Sequence, residues 1–207
     1  VTVLTSDDLD KKQISTFVDI SAIAPGVNVA KNEGFKTVIT IRGVGYETNQ
    51  NAIATPSVSY HLDGIYIASP YSLQTEFMDL ERIEVLRGPQ GTLFGQNSTG
   101  GAINVITSAP SLEESSSYGD ITIGDYSLIK TRASFNRPLS ETLAVRASFI
   151  THKRDGFTDN LSTGQDLDDA DSISARVRFL YQPSETFRAN FTAQIFDENL
   201  TLVDIII

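Results

Sequence analysis

The sequence predicts a small α+β domain over residues 1–110, followed by consecutive antiparallel β-strands over residues 111–207. Three observations lead to this fold class. Ten of the fourteen glycines lie before residue 111, among short segments of mixed pattern. After residue 110, apolar and polar residues alternate with a period of two, which is typical of strands whose two faces meet different surroundings. The connections between those strands alternate between short and long.

Short elements of both kinds are predicted in the first region, which indicates a small mixed sheet with short helices. Thr16 and Asp19 have capping-box spacing and Pro25–Gly26 ends the pattern, so STFVDISAIAPGV predicts a short helix. Asp63–Gly64 predicts a hairpin within SVSYHLDGIYI. The segment MDLERIEVLRG predicts a helical turn that runs into a strand. Further strands are predicted at VTVLT, at TVITIRG up to Gly43, and at GAINVIT.

Four segments of the second region alternate most clearly, and a weaker strand is predicted near residues 118–124. The four segments are 129–136, 143–149, 173–181 and 187–195. One face of them is apolar and includes Phe135, Phe149, Phe179 and Phe191. The other face carries Arg132, Arg146, Arg176, Arg178 and Arg188.

The connections in this region distinguish two architectures. Pro138–Thr142 and Pro183–Thr186 are tight turns, whereas residues 153–171 form a long polar loop. Short turns at one end and a long loop at the other are typical of an outer-membrane β-barrel. A soluble β-sandwich is the alternative, since its strands also alternate. The repeated arginines on the polar face, and strand lengths near the ~9–11 residues of a tilted membrane strand, favour the barrel.

Composition excludes several classes of protein. Sixteen Lys and Arg against 26 Asp and Glu give a formal charge of −10, which argues against a nucleic-acid partner. The absence of cysteine excludes disulfides, zinc–thiolate sites and thiol nucleophiles. No apolar run approaches the ~18 residues of a membrane helix. The first residues lack a signal-peptide pattern, so we expect a mature chain or one that begins partway into a longer protein.

A glycine-rich run, LRGPQGTLFGQNSTGGAINVIT, raises the question of nucleotide binding. A P-loop needs a lysine after its last glycine, and none is present. In IRGVGYET, Thr48 stands where a dinucleotide motif has its third glycine. We therefore interpret the glycines of the run as conformational bends that need no ligand. They are Gly88, Gly91, Gly95, Gly100 and Gly101.

Other chemistry is weakly indicated. His61 and His152 have no nearby catalytic motif, and we interpret both as ordinary strand residues. No catalytic residue, resident metal or cofactor is expected. For the acidic loop 155–171, a solvated loop is favoured and a calcium site is the alternative, because the EF-hand glycine and closing glutamate are missing. Its acidic residues are Asp166, Asp168, Asp169 and Asp171.

Three arginines attract attention: Arg42, Arg82 and Arg87. Arg42 and Arg87 each follow a β-branched run and precede a glycine, in ITIRG and IEVLRG. An arginine at such a strand end can reach solvent. It can also reach carboxylates of a second domain in a charge-assisted pair.

The segments VITIRGVG, SVSYHLDGIYI and, above all, LERIEVLRGPQGTLFGQNSTGGAINVITSAPS resemble the plug domain of TonB-dependent outer-membrane receptors. The resemblance covers residues 1–110. It implies a plug that fills the lumen of a transmembrane antiparallel β-barrel, 22-stranded when complete. Residues 111–207 would supply about five of those strands. An open sheet edge is not satisfied in lipid, so the barrel in this chain is incomplete.

Function and partners follow from the resemblance as expectations. It implies energised import of a scarce nutrient, first a ferric siderophore, across the bacterial outer membrane. The TonB–ExbB–ExbD complex would act through an N-terminal TonB box that this chain lacks. Outer-membrane lipid and lipopolysaccharide would surround the barrel. TonB-coupled signalling, a phage or toxin receptor, and import of glycans or cobalamin are the alternatives.

The resemblance also assigns residues. Arg42 and Arg87 match the plug arginines that pair with barrel glutamates, so they are expected to form a plug-to-barrel latch. Ligand contacts are expected on outward loops of the plug, at Tyr46, Asn49, Gln50 and Tyr71. The tight turns of the second region would face the periplasm, and the loop 153–171 would face outside.

Overall fold

A computed structural model describes residues 1–12, 14–32, 36–45, 56–68, 76–159, 166–167, 169–197 and 201–206. The chain divides into two compact units, Val1–Ser108 and Ala109–Ile207. The predicted division after residue 110 lies two residues from this one, and its assignment as a domain boundary stays a prediction.

Two small sheets make up the first unit. The larger sheet has the order β1-β7-β8-β5-β6, in which β5 and β8 are parallel and the other neighbours antiparallel. The second sheet is the antiparallel β2-β3-β4. The elements, in chain order, are β1 Thr2–Thr5, α1 Ser6–Lys11, α2 Ile20–Ile23, β2 Val27–Asn32, β3 Lys36–Ile41, β4 Val44–Gly45, β5 Val58–Leu62, β6 Ile65–Tyr66, β7 Leu80–Arg87, α3 Gly91–Phe94 and β8 Gly101–Thr107.

The apolar core of this unit lies on one face of the larger sheet. Leu4 pairs with Ile83, and Ile83 pairs with Val105, so the three side chains share that face. All three are buried, and Phe17 packs edge-on against Tyr60 with the ring centroids 4.8 Å apart. Full burial of one such side chain contributes about 1.5–3 kcal/mol. The alternation along β7 and β8 therefore fixes which face of the sheet is polar.

Two hairpins of this unit have two-residue turns with both residues at positive φ. Asp63 and Gly64 have φ of 50° and 82°, which confirms the predicted hairpin between β5 and β6. Arg42 and Gly43, with φ of 54° and 77°, join β3 to β4 in the same way. The sequence predicts only a strand ending at Gly43 there. A left-handed arginine costs roughly 1–2 kcal/mol, so local preference does not indicate this turn.

The helices differ from the predicted ones. The helix predicted in STFVDISAIAPGV is only four residues long and begins at Ile20. The carboxylate of Asp19 accepts hydrogen bonds from the backbone and hydroxyl of Thr16, which closes a turn before the helix. The helical turn predicted ahead of β7 is wrong, because residues 76–79 are not helical and Asp79 has φ 51°.

An additional helix, α1, follows β1 directly. Thr5 and Asp8 cap it reciprocally, and the hydrogen bonds from Thr5 lower the pKa of the Asp8 carboxyl. Within the described ranges, no helix is both long enough and apolar enough to cross a membrane.

The second unit is a six-stranded antiparallel sheet of order β9-β10-β11-β14-β15-β16, with a separate β12-β13 pair. Each strand of the sheet pairs with the next one along the chain, except that β12 and β13 lie between β11 and β14. The consecutive antiparallel arrangement predicted from the alternation is confirmed. The strands are β9 Ser116–Gly124, β10 Leu128–Pro138, β11 Leu143–Arg154, β12 Thr158–Asp159, β13 Asp166–Leu167, β14 Ala170–Ser184, β15 Phe187–Asp197 and β16 Thr201–Ile206.

Register keeps the two faces of this sheet chemically distinct. Phe179 pairs with Val145 on one side and Phe191 on the other, so the apolar residues of three strands form one row. Phe191 is 48% exposed and Phe135 is 53% exposed. On the opposite face, Arg132 Nε lies 2.7 Å from Asp120 Oδ1 across strands. The predicted separation of apolar and polar residues is confirmed; the contact of the apolar face with lipid stays a prediction.

We expect Phe191→Arg to impair assembly of the full-length protein and Asn190→Arg to leave assembly intact. A charge on a lipid-facing position near the midplane costs about 2–4 kcal/mol, whereas the neighbouring residue points to the opposite, polar face. Outer-membrane yield and heat-modifiable mobility in electrophoresis measure the outcome. Equal behaviour of the two variants would show that the apolar face does not meet lipid.

Candidate functional site

The turn Pro25–Gly26 brings Arg42 and Arg87 together from two different sheets. Arg42 follows β3, and its backbone N–H donates to the Gly26 carbonyl at 2.6 Å. Arg87 ends β7, and its Nε donates to the Pro25 carbonyl at 3.0 Å. Arg87 and Pro25 are 62 positions apart in the chain, and this hydrogen bond joins them at the turn. A Cβ at Gly26 would lie 3.4 Å from Arg42 Cγ, so the arginine stem packs closely over this turn.

The electrostatics of this cluster favour an anion. Arg42 is exposed and Arg87 is half-buried. In the described part of the chain, neither guanidinium has a carboxylate partner within ion-pair distance. The backbone of Arg42 and the guanidinium of Arg87 are held at the same turn, and a guanidinium matches a carboxylate in geometry and charge. The cluster is therefore suited to receive one or more carboxylates.

The glycine-rich run forms a loop closed by its own backbone. Gly88 N–H donates to the Gly100 carbonyl at 3.0 Å, and Gln90 N–H donates to the Ser98 carbonyl at 2.9 Å. Gly100 N–H donates to Ser57 at 2.8 Å, which ties the loop to the start of β5. A phosphate cradle needs free backbone N–H groups. These donors are already used inside the unit, in keeping with the missing lysine.

Close backbone approach explains the last glycines of the run. A Cβ on Gly101, whose φ is 149°, would lie only 2.3 Å from the Leu86 carbonyl oxygen. A Cβ on Gly100 would lie 2.9 Å from Val44 Cγ1. Gly88 and Gly95 have positive φ. Gly91 differs from these four, because it begins α3 with open space around it and no positive φ, so nothing in the structure requires a bend there.

Arg82 belongs to a hydrogen-bonded row that the sequence analysis does not identify. Its Nε donates to Glu84 Oε1 at 2.8 Å, and it also pairs with Glu81. Asn104 Nδ2 donates to the other oxygen of Glu84 at 3.1 Å. Burial raises the pKa of Glu84, but the hydrogen bonds from Arg82 and Asn104 outweigh it, and the net shift is downward. The same bond to Glu84 raises the pKa of Arg82.

His61 lies at the far end of the same sheet face. It pairs in register with Asn104, which in turn pairs with Glu84. An ordinary strand residue is predicted at His61 from the sequence. In the structure its side chain is buried, with 4% of its surface exposed. Burial lowers the pKa of the imidazole. In the sequence of each of the three strands, apolar and polar residues alternate. His61, Asn104 and Glu84 lie opposite the apolar positions, and this alternation is the signal that indicates their shared face.

Several predicted sites lie outside the described residues. These include all four predicted ligand contacts, Tyr46, Asn49, Gln50 and Tyr71. Asp168 of the acidic loop also lies outside the described residues, and the calcium site stays an alternative prediction for this loop. Within the described ranges, no group of three or more His, Asp or Glu side chains could hold a metal ion.

The comparisons with known proteins agree on one family. Residues 1–102 match the family model "TonB-dependent Receptor Plug Domain". The chain is 31% identical over 171 residues to the pesticin receptor of Yersinia pestis, covering 80% of this chain and 24% of that protein. It is 27% identical over 200 residues to the ferric enterobactin receptor PirA of Pseudomonas aeruginosa, covering 85% and 26%. The chain thus spans about a quarter of the length of these relatives.

Structural likeness extends over both units. The crystal structure of the ferric yersiniabactin uptake receptor FyuA from Yersinia pestis superposes with a TM-score of 0.81 at 24% identity, covering 94% of this chain and 31% of that one. The likeness establishes the fold, and the predicted class, an α+β plug followed by part of an antiparallel β-barrel, is confirmed.

We expect Gly101→Ala to destabilise the first unit by about 2 kcal/mol or more, because its Cβ has no room beside the Leu86 carbonyl. The matched control is Gly91→Ala, which meets open space in a helix and is expected to be neutral or stabilising by roughly 0.5–1 kcal/mol. Denaturant unfolding and protease resistance of residues 80–107 in the full-length protein test this pair. Similar stability of the two variants would contradict the close approach.

Proposed function

The chain belongs to the TonB-dependent receptors and is an outer-membrane protein, and from this premise we propose that it imports a scarce nutrient, first a ferric siderophore, with the first unit as the gate. The observation that carries the proposal is the plug-domain match over residues 1–102, directly ahead of the antiparallel sheet. Such a domain occludes a barrel lumen, so its role is gating rather than catalysis. We accordingly infer a transport receptor rather than an enzyme.

Relatives support the choice of ligand. A relative that is 27% identical to this chain is named a ferric enterobactin receptor, and a structure of the same fold is named a ferric yersiniabactin uptake receptor. Tyr46, Asn49, Gln50 and Tyr71 are the contacts proposed for such a ligand on the plug. Glycans and cobalamin remain the alternative cargo.

Energy for the import step has to come from outside the outer membrane. We assign it to the TonB–ExbB–ExbD complex, acting on a TonB box beyond this chain. The apolar face that carries Phe135, Phe149, Phe179 and Phe191 would contact outer-membrane lipid and lipopolysaccharide. Arg132, Arg146, Arg176, Arg178 and Arg188 would face the lumen, with the tight turns in the periplasm and the loop 153–171 outside.

Arg42 and Arg87 are proposed to latch the plug to the barrel wall. The geometry in support is their convergence on Pro25–Gly26 with no carboxylate partner among the described residues. Barrel glutamates outside this chain would supply the negative charge. The glycine bends of the closed loop 88–100, next to Arg87, would keep the latch and the loop in one rigid body.

A second candidate function is favoured by one observation. A relative that is 31% identical to this chain is named a pesticin receptor and not an uptake receptor. The alternative function is therefore a docking receptor, of the phage or toxin kind. TonB-coupled surface signalling would need an additional domain ahead of Val1.

Uptake by the full-length receptor tests the main proposal. We expect accumulation of a radiolabelled ferric siderophore in energised cells, and loss of accumulation in cells without TonB. Cobalamin and oligosaccharides, offered in parallel, distinguish the alternative cargo. Binding of siderophore without uptake in any energy state would contradict import and favour a docking or signalling role.

The latch is tested by Arg42→Gln and Arg87→Gln, each of which removes charge without much change in size. Loss of a hydrogen bond to a charged group costs about 1.5–3 kcal/mol, so each variant should admit a large antibiotic through the outer membrane more readily. The double variant should cost less than the sum of the single variants, because both arginines serve one anionic site. Lys11→Gln, at an exposed pair with Asp7, is the control expected to be neutral. Strict additivity would argue for two independent roles.

A further inference from the structure

His61 is a buried imidazole on the face of the larger plug sheet that is opposite the apolar core. The ring of Tyr66, from β6, lies 5.6 Å away between centroids, and the ring of Phe94, from α3, lies 4.8 Å away edge-on. Asn97 donates to the Tyr66 hydroxyl at 2.7 Å. His61 thus lies at the junction of the β5–β6 hairpin with the glycine-rich loop.

The polar atoms at this junction are poorly satisfied. The interaction of His61 with the Gly64 backbone falls short of a hydrogen bond of ordinary geometry, and no other described residue is bonded to either ring nitrogen. The same holds, within the described ranges, for Oδ1 of Asn104, its partner in the parallel register, and for Oγ of Ser59. Ser59 is fully buried and Asn104 is 8% exposed. Buried polar groups without partners are uncommon in folded proteins. A cluster of them on one sheet face therefore indicates a binding site.

Charged groups around the junction are engaged elsewhere. Asn104 stands between His61 and Glu84 in the register, and Arg82 and Asn104 take both oxygens of Glu84. Asp63, in the hairpin turn, accepts from the backbone and hydroxyl of Thr107. From β6 and α3, the residues packed against His61 are the aromatic rings of Tyr66 and Phe94. A positive charge on His61 would therefore be buried without direct contact to a carboxylate of the described residues.

We propose that His61 is a buried proton-binding site, and that its protonation loosens the β5–β6 hairpin and the glycine-rich loop from each other. A proton converts the ring to a cation with two N–H donors. Oδ1 of Asn104, the register neighbour of His61, is an acceptor without a hydrogen bond in the described part of the chain. Burial of the charge against the rings of Tyr66 and Phe94 is unfavourable, and it weakens this packing. The proton site does not depend on which ligand the receptor carries.

The sign of the linkage follows from burial, the larger influence on the pKa of His61, which lowers it; hydrogen bonding to the Gly64 backbone raises it by less. The unfolded chain binds the proton at the ordinary pKa of 6.5, and the folded plug binds it only at lower pH. Stability of this region is therefore full above pH 6.5. As the pH falls from 6.5 towards the pKa of His61 in the folded plug, this stability decreases. The equilibrium constant for opening rises by up to about tenfold per pH unit over that range.

Hydrogen–deuterium exchange of the full-length receptor in detergent tests the proposal, with rates corrected for intrinsic chemical exchange at each pH. Peptides covering residues 58–66 and 91–98 should exchange several-fold faster at pH 5.5 than at pH 7.5. His61→Phe keeps an aromatic ring at the junction and removes the titrating group, so the pH effect should disappear. His152→Gln, at the other histidine of this chain, should retain the wild-type effect.

Two results would overturn the proton site. One is wild-type exchange in these peptides that does not change between the two pH values. The other is the same pH effect in wild type and His61→Phe. If the phenylalanine variant does not accumulate, His61→Gln replaces it with the same expectation, and the wild-type profile decides the first result in any case.

Discussion

The antiparallel pairing of β7 with β8 is the contact on which the first unit depends. Its register places Ile83 and Val85 in the core and, on the other face, sets Glu84 beside Asn104. At its end, Gly101 packs so closely against the Leu86 carbonyl that no side chain fits. That close approach closes the loop 88–100 and leaves Arg87 at the Pro25–Gly26 turn. The polar and apolar faces of this strand pair, the glycine loop and the position of Arg87 at the turn are thus linked through one strand pairing.

Strand alternation distributes the polar and apolar side chains of the described strands between opposite faces of each sheet. In the larger plug sheet, successive residues of β7 alternate between the core and the row of Arg82 and Glu84. In the second unit, the same period separates an exposed apolar face from the face with the Arg132–Asp120 pair. The period of two is therefore the sequence property that separates polar from apolar residues in both units.

Sequence patterns predicted the elements whose determinants are local. The Asp63–Gly64 hairpin and the alternating strands of the second unit are examples. The residues of the turn specify the hairpin, and the period of two specifies the strands. The Arg42–Gly43 turn was not predicted, since arginine disfavours positive φ. In the structure, the pairing of β3 with β4 and the bond from Arg42 N–H to the Gly26 carbonyl accompany it. The convergence of Arg42 with Arg87 and the burial of His61 depend on pairing between distant strands. No local pattern encodes such pairing.

Strand β1 is short and lies at the edge of the larger sheet, so its mechanical resistance depends on the direction of load. In the described part of the chain it pairs with β7 alone, through the four residues Thr2–Thr5. Traction on Val1 within the sheet plane and perpendicular to the strand strains these hydrogen bonds in succession, beginning at Thr2. Traction along the strand strains them all at once and meets more resistance. Unravelling in the first mode reaches Thr5, where the reciprocal cap with Asp8 begins α1 and interrupts it.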